Sequence, residues 1–296
     1  MRKERVKAEI LDKLQGSAGA CLMDLYAVNG KIFDDLKEIR LRVHQPLLLV
    51  TVRDEITVKY EPDATALSRI LQSLCKGSVY AFSESIKEGF VTIEGGHRIG
   101  MAGRYIEGRG ICDIGSLNIR ISGEMKGCSN AVLSAIRRGK RDIYNTLILS
   151  PPCCGKTTML RDLARNLSWN GFTVGVVDER SEIAGCYLGV PSNDMGPRCD
   201  VYDTCPKSVG IYMMLRAMSP DIIVTDEIGG VQDTAALRQA SWAGIRLIAT
   251  CHGYGEQDLK ACEIEGIFEK IVVLSSRKGP GTVERIVCAG ERNGNS

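Results

Sequence analysis

A glycine, followed by a lysine and two threonines, connects an apolar run to a helical pattern that begins at the lysine. This arrangement can bind phosphate. The run Thr146–Leu149 is typical of a buried strand, and Lys156–Leu167 has the spacing of a helix. Backbone N–H groups in such a loop carry positive partial charge and favour anions. We expect Lys156 to reach the β- and γ-phosphates of ATP and the Thr157 hydroxyl to hold Mg²⁺. The predicted phosphate loop comprises Ser150, Pro151, Pro152, Cys153, Cys154, Gly155, Lys156, Thr157 and Thr158.

Two parts of this loop differ from the usual G-x-x-x-x-G-K-[ST] pattern. Ser150 stands where the first glycine is usual, and Cys153 and Cys154 replace the small, flexible residues often found there. The Gly155–Thr157 core is intact, so the pattern still predicts a nucleotide site. The differences leave the strength of nucleotide binding open.

A pair of acids follows another apolar run. Asp226 and Glu227 come directly after Ile222–Thr225, about 70 residues beyond the phosphate loop. Ligands bind at the carboxyl ends of the strands of a parallel sheet, so both acids are expected near the phosphates. We assign Asp226 to the Mg²⁺ site and Glu227 to activation of the attacking water.

A second acidic segment, Asp178–Glu182, follows the strand-like run Thr173–Val177. The same argument about strand ends places it near the phosphates. Glu179 and Glu182 are therefore alternatives to Glu227 as the group that polarises water, and the sequence leaves that choice open.

A histidine lies at the end of a third apolar run, Arg246–Thr250. Thr250 and His252 would then reach the same edge of the sheet, where they can sense the γ-phosphate. A single histidine is more often structural, but its place at a strand end favours a functional role.

The elements that must position these groups alternate between strand and helix from residue 144 onward. This alternation predicts a mostly parallel sheet with helices on both faces, and the phosphate loop makes it a P-loop NTPase domain. The earlier residues mix short helices and strands and predict a smaller α+β domain. The expected division is an N-terminal domain at 1–125, a linker at 126–143 and an ATPase domain at 144–296.

Composition narrows the function classes. Lys+Arg 38 against Asp+Glu 36 gives a net charge of +2, and aromatic residues make up 5%, so we expect no nucleic-acid partner. The 12 cysteines form no C-x-x-C pair, which argues against a zinc ribbon and favours reduced thiols. We see neither a secretory signal nor a transmembrane run, and we expect a cytoplasmic protein.

Taken in order, the motifs resemble those of the traffic ATPases of type II and type IV secretion and of pilus retraction. The segment Leu215–Gly230 is similar to that family's Walker B block, Asp178–Glu182 to its acidic box, and Thr250–Gly253 to its histidine box. The resemblance implies a RecA-like ATPase that works as a ring.

Segments of the first half resemble a sporulation branch of this superfamily, from endospore-forming bacteria. They are Tyr80–Ser83, Gly89–Thr92, Gly95–Gly100 and Leu117–Ile121, with Val177–Ile183 in the second half. The resemblance implies a homo-hexamer, peripherally associated with the membrane on the mother-cell side, and an integral membrane channel protein as partner. It also makes Arg98, Arg104 and Arg120 candidates for contacting the nucleotide of a neighbouring subunit.

The favoured interpretation is an ATP-hydrolysing motor that energises a sporulation channel between mother cell and forespore. Two alternatives stay open. One is a nucleotide-binding assembly scaffold with weak hydrolysis, which the altered phosphate loop allows. The other is a nucleic-acid translocase, which the charge balance disfavours.

Overall fold

The computed structural model describes residues 2–76, 89–253, 264 and 266–289 of the chain. It contains two compact units, Met1–Gly123 and Glu124–Ser296. The motif Tyr80–Ser83 lies outside the described residues, and so does Gln257–Cys262, for which the sequence predicts a short helix.

Within the described part of the first unit, three α-helices accompany an antiparallel sheet. Strand order in its six-stranded sheet is β3-β2-β1-β6-β5-β4. Its elements are α1 (Arg2–Glu9), α2 (Gly16–Asn29), β1 (Leu36–Arg42), β2 (Gln45–Thr51), β3 (Glu55–Val58), α3 (Ala64–Leu74), β4 (Phe90–Ile93), β5 (His97–Ile106) and β6 (Gly110–Arg120).

Helix α3 shows how the sequence produces these elements. The Asp63 side chain accepts a hydrogen bond from the Ala66 N–H and so caps the helix. Leu67, Ile70 and Leu71 share its buried face, as their spacing predicts. The sequence also predicts a helix at Arg5–Leu14. The observed helix, α1, begins at Arg2 and ends at Glu9, and a 3₁₀ turn, Leu11–Lys13, follows it.

The second unit is built on a seven-stranded sheet with the order β11-β8-β12-β13-β7-β14-β15. Every neighbouring pair is parallel except β14 and β15. Its elements are α4 (Asn130–Ile136), β7 (Thr146–Ser150), α5 (Lys156–Trp169), β8 (Val174–Asp178), β9 (Cys186–Tyr187), β10 (Val190–Pro191), β11 (Cys199–Asp203), α6 (Lys207–Ala217), β12 (Ile222–Thr225), α7 (Val231–Trp242), β13 (Arg246–His252), β14 (Lys270–Ser275) and β15 (Thr282–Cys288).

Helices cover both faces of this sheet, so the expected α/β architecture is confirmed. Every residue of β7 is buried, as in a central parallel strand. Leu160 and Leu163 of α5 belong to the core on one face. Met214 of α6 and Leu237 of α7 belong to the core on the other.

Two regions show what the sequence patterns did not indicate. Strand β11 was not anticipated, because its residues, Cys199–Asp203, alternate without a continuous apolar run. The segment 126–143, expected to be a linker with a helix at Asn130–Arg138, contains that helix as α4, but it is more than a connector. Its residues Val132, Ile136 and Ile143 are buried in the core of the second unit.

Candidate functional site

The phosphate loop connects the end of β7 to the start of α5. Gly155 precedes the helix with φ +84°, and Cys153 has φ +60°. Both values lie in the left-handed region, which is costly for a residue with a side chain. The loop thus reaches the start of α5 through two left-handed residues, and the N–H groups of such a loop and helix N-terminus are suited to bind an anion.

Lys156 is buried at the first position of α5. Its Nζ donates to the Ser150 carbonyl at 3.2 Å and lies 2.9 Å from Nδ1 of His252. Burial lowers the pKa of Lys156, and the nearby Glu227 carboxylate opposes that shift. The lysine is thus held within a short distance of two strand ends, those of β7 and β13.

The turn between β14 and β15 packs against the phosphate loop. The Gly281 N–H donates to the Cys154 carbonyl at 2.8 Å. A Cβ on Gly155 would lie 3.0 Å from the Gly281 nitrogen. Glycine at position 155 is therefore required twice, by its backbone angle and by this close approach. No sequence pattern indicated the second requirement.

Glu227 is contacted by three groups at the ends of neighbouring strands. Its Oε1 lies 3.0 Å from His252 Nε2, and its Oε2 pairs with Arg180. Its backbone N–H donates to the Thr250 hydroxyl at 2.8 Å. The backbone has φ +37°, an uncommon value for glutamate that is more frequent at functional sites.

Asp226 is 1% exposed, and among the described residues its Oδ1 has no hydrogen-bond partner. Burial raises the pKa of Asp226 to about 6, and the neighbouring Asp178 carboxylate adds to the shift. A cation beside this oxygen would satisfy it and stabilise the ionised form. With Thr157 on α5 as a hydroxyl ligand, these residues fit a Mg²⁺ ion, which prefers oxygen ligands.

The acids of the segment Asp178–Glu182 differ in their contacts: Asp178 holds the local backbone, and Glu179 forms an ion pair. Asp178 is fully buried and accepts hydrogen bonds from the backbone N–H groups of residues 182, 183 and 184, each at 2.9 Å. Its carboxylate therefore holds the turn after β8. Glu179 pairs with Lys207, and the Glu182 carbonyl accepts a hydrogen bond from Arg161 of α5.

Two basic residues were missed in the sequence analysis. Arg180 pairs with Glu227, although it lies in the segment assigned only for its acids. Lys207 is 5% exposed at the first position of α6, next to Glu179. A lysine at a helix N-terminus opposes the helix dipole, and that placement was an available signal.

The structure thus brings Lys156, His252, Glu227 and Thr250 together at the carboxyl edge of the sheet. Strand register explains this, since His252 is paired with Ser150 across β13 and β7. The Ser150 hydroxyl donates to the carbonyl of Pro151. Around the lysine, Cys154 is buried, Cys153 and Pro152 are exposed, and Pro151, Thr157 and Thr158 are half-buried.

The three arginines proposed from the resemblance lie in the first unit. The guanidinium of Arg98 stacks over the Phe90 ring at 3.4 Å from its centroid. Arg104 forms an exposed ion pair with Asp113, and Arg120 is exposed at the end of β6. Their contact with a neighbouring subunit's nucleotide stays a prediction. In the described ranges, no helix is long and apolar enough to cross a membrane.

The fold of the chain is that of the RecA-like secretion ATPases. Two solved structures share it: the ATPase DotB of Legionella pneumophila and the pilus retraction motor PilT with bound ADP. For DotB the TM-score is 0.59 at 13% identity, over 86% of this chain and 76% of DotB. For PilT it is 0.57 at 13% identity, over 84% of this chain and 77% of PilT.

The family is narrower than this fold. The family model described as "Sporulation stage III, protein AA" matches residues 7–294. Stage III sporulation protein AA of Bacillus subtilis is 42% identical over 268 residues, which cover 85% of this chain and 86% of that protein. The chain therefore belongs to the stage III sporulation protein AA family, so the resemblance to a sporulation family is confirmed, and the fold is shared with the secretion ATPases.

Proposed function

We propose that this protein is an ATP-hydrolysing motor that energises a sporulation channel between mother cell and forespore. The supporting observation is the connected group Lys156, His252 and Glu227 beside the buried Asp226. It joins a phosphate-binding lysine, a candidate general base and a metal ligand at one edge of the sheet. The sporulation family adds the biological setting.

The proposed chemistry is attack of water on the γ-phosphate of ATP. Mg²⁺, held by Thr157 and Asp226, would offset the charge of the β- and γ-phosphates. Lys156 would leave His252 and the Ser150 carbonyl to meet the phosphate oxygens. Glu227 would accept the proton of the attacking water. Glu227 is favoured over Glu179 and Glu182 because His252, which lies 2.9 Å from Lys156, also contacts the Glu227 carboxylate.

We also propose the assembly that the secretion ATPase resemblance implied. The protein would act as a cytoplasmic homo-hexamer, peripherally bound to the membrane through an integral membrane channel protein. Arg98, Arg104 or Arg120 of one subunit would contact the nucleotide of the next. The domain division 1–125, 126–143 and 144–296 belongs to the same proposal.

Steady-state ATP hydrolysis, measured across protein concentration with Mg²⁺ present, tests the proposal. Cooperative dependence on protein concentration is expected for sites shared between subunits. Lys156→Ala should abolish ATP binding, because it removes the charge that meets the phosphates. Glu227→Gln should keep binding and lower turnover, since an amide cannot accept the proton. Lys140→Ala, at an exposed lysine, is the matched control.

Three results would overturn parts of this function. Unchanged nucleotide affinity in Lys156→Ala would refute the phosphate loop. ATP binding without hydrolysis, at every protein concentration, would favour the scaffold function over the motor. Full turnover in Glu227→Gln would move the role of base to the acidic segment.

A further inference from the structure

Both carboxylate oxygens of Glu227 are engaged in this structure. His252 Nε2 is 3.0 Å from Oε1, and the Arg180 guanidinium pairs with Oε2. A general base must present an oxygen within about 2.6–3.2 Å of the proton that it accepts. A carboxylate with a partner at each oxygen is oriented toward those partners rather than toward water.

The two partners of Glu227 differ in their link to the nucleotide site. His252 is 2.9 Å from Lys156, so a phosphate that takes the lysine also disturbs the histidine. Arg180 approaches from the turn after β8, on the other side of the carboxylate. Binding of phosphate at Lys156 can thus change the hold on Oε1 while the ion pair on Oε2 persists.

The backbone that carries Arg180 is held firmly, while its side chain is not. Asp178 accepts the N–H groups of residues 182, 183 and 184, and the Asp178 carbonyl accepts from the Thr204 N–H at 2.8 Å. The Arg180 side chain is 56% exposed. Exposed ion pairs are weak because water competes with them and long side chains lose entropy. The arginine can therefore release Glu227 without any change in the turn.

We propose that Arg180 is a positioning residue that restrains Glu227 away from the attacking water, so that release of this ion pair limits turnover. The inference rests on the proposed ATPase function. It assigns a role to Arg180, the one positively charged residue in the acidic segment 178–182. It also gives the two partners of Glu227 different roles. His252 links Glu227 to the phosphate-binding lysine, and Arg180 keeps Glu227 away from the attacking water.

The test compares kcat and KM for ATP in Arg180→Ala, Arg180→Lys and the wild type. Arg180→Ala should raise kcat two- to fivefold, the upper value corresponding to about 1 kcal/mol. Affinity for a fluorescent ATP analogue should stay within about twofold, because the arginine holds Glu227 and not the nucleotide. Arg180→Lys keeps the charge and should stay close to the wild type. Arg141→Ala, at an exposed arginine that precedes β7, is the control and should change neither parameter.

A combined variant shows whether Arg180 acts through Glu227. In a Glu227→Gln background, Arg180→Ala should no longer raise kcat. An increase that survives there, or a kcat that is unchanged or lower in Arg180→Ala alone, would overturn the inference. If the wild type binds ATP without hydrolysis, Arg180→Ala must hydrolyse ATP. Absence of hydrolysis in this variant would also overturn the inference. Failure of the proposed function itself would instead appear as absent nucleotide binding, or as absent hydrolysis in the wild type and in Arg180→Ala alike, whereas failure of the inference alone leaves wild-type hydrolysis intact.

Discussion

Replacing Gly155 by alanine tests how far the phosphate loop depends on the turn between β14 and β15. Gly155 has φ +84°, where an L-residue costs about 1–2 kcal/mol. Its new Cβ would lie 3.0 Å from the nitrogen of Gly281, whose N–H bonds to the Cys154 carbonyl at 2.8 Å. Relief of the overlap would sacrifice that hydrogen bond, worth about 0.5–1.5 kcal/mol. We expect the free energy of unfolding to fall by roughly 1.5–3.5 kcal/mol.

Gly171→Ala supplies the matched control at the other end of α5. Gly171 has φ +91°, and a Cβ added there would have nothing within 4 Å, so alanine meets only the backbone cost. That cost is about 1–2 kcal/mol. The difference between the two variants therefore isolates the contact with Gly281.

Urea unfolding followed by tryptophan fluorescence measures this difference. The chain's two tryptophans, Trp169 and Trp242, both belong to the second unit, so their signal reports on that unit. Equal losses of stability in Gly155→Ala and Gly171→Ala would refute the role of the contact. Under the proposed function, Gly155→Ala should also weaken ATP binding, whereas Gly171→Ala should leave it unchanged.

Two further predictions concern buried groups. Burial of Asp162 raises its pKa, but hydrogen bonds from the Ser129 N–H and hydroxyl outweigh this and hold the pKa of Asp162 below its ordinary value of 3.8. The stability that Asp162 contributes is therefore complete above that pH and is lost as pH falls through the lowered pKa. The advantage of wild type over Asp162→Asn in urea should shrink below about pH 4, and an undiminished advantage at pH 2 would contradict this. Iodoacetamide at pH 8 should modify the exposed Cys153 in the native protein but reach the buried Cys75, whose pKa burial raises to about 11, only in urea. Peptide mass spectrometry measures the rate of modification at each cysteine. Comparable rates for Cys153 and Cys75 in the native protein would refute the difference in their exposure.

Local patterns predicted much of the second unit. The buried strand β7, the glycine before Lys156 and the acids after β12 each depend on neighbours within a few residues. Apolar runs interrupted by helical spacing were enough to indicate a parallel sheet, because strands covered on both faces must be apolar throughout. Positions at strand ends then placed Asp226 and His252 on one edge.

The same patterns failed where polarity and pairing were ambiguous. Strand β11 is half-buried along its length and offers no apolar run to detect. The segment 126–143 has small and basic residues typical of a connector, yet its apolar positions complete the core of the second unit. Burial at such positions depends on what packs over them, which a local window does not contain.

The sequence by itself determined which groups are available for the proposed chemistry, since it places a predicted phosphate loop, two acidic segments and a histidine at the ends of strands. Only the tertiary structure decided how these groups meet. Arg180 and Glu227 are 47 residues apart, and Lys156 and His252 are 96 apart. Contacts over such separations follow from strand order and register, because only those bring distant strand ends to neighbouring positions. The ion pair between Arg180 and Glu227 is therefore a property of the assembled sheet and not of any motif.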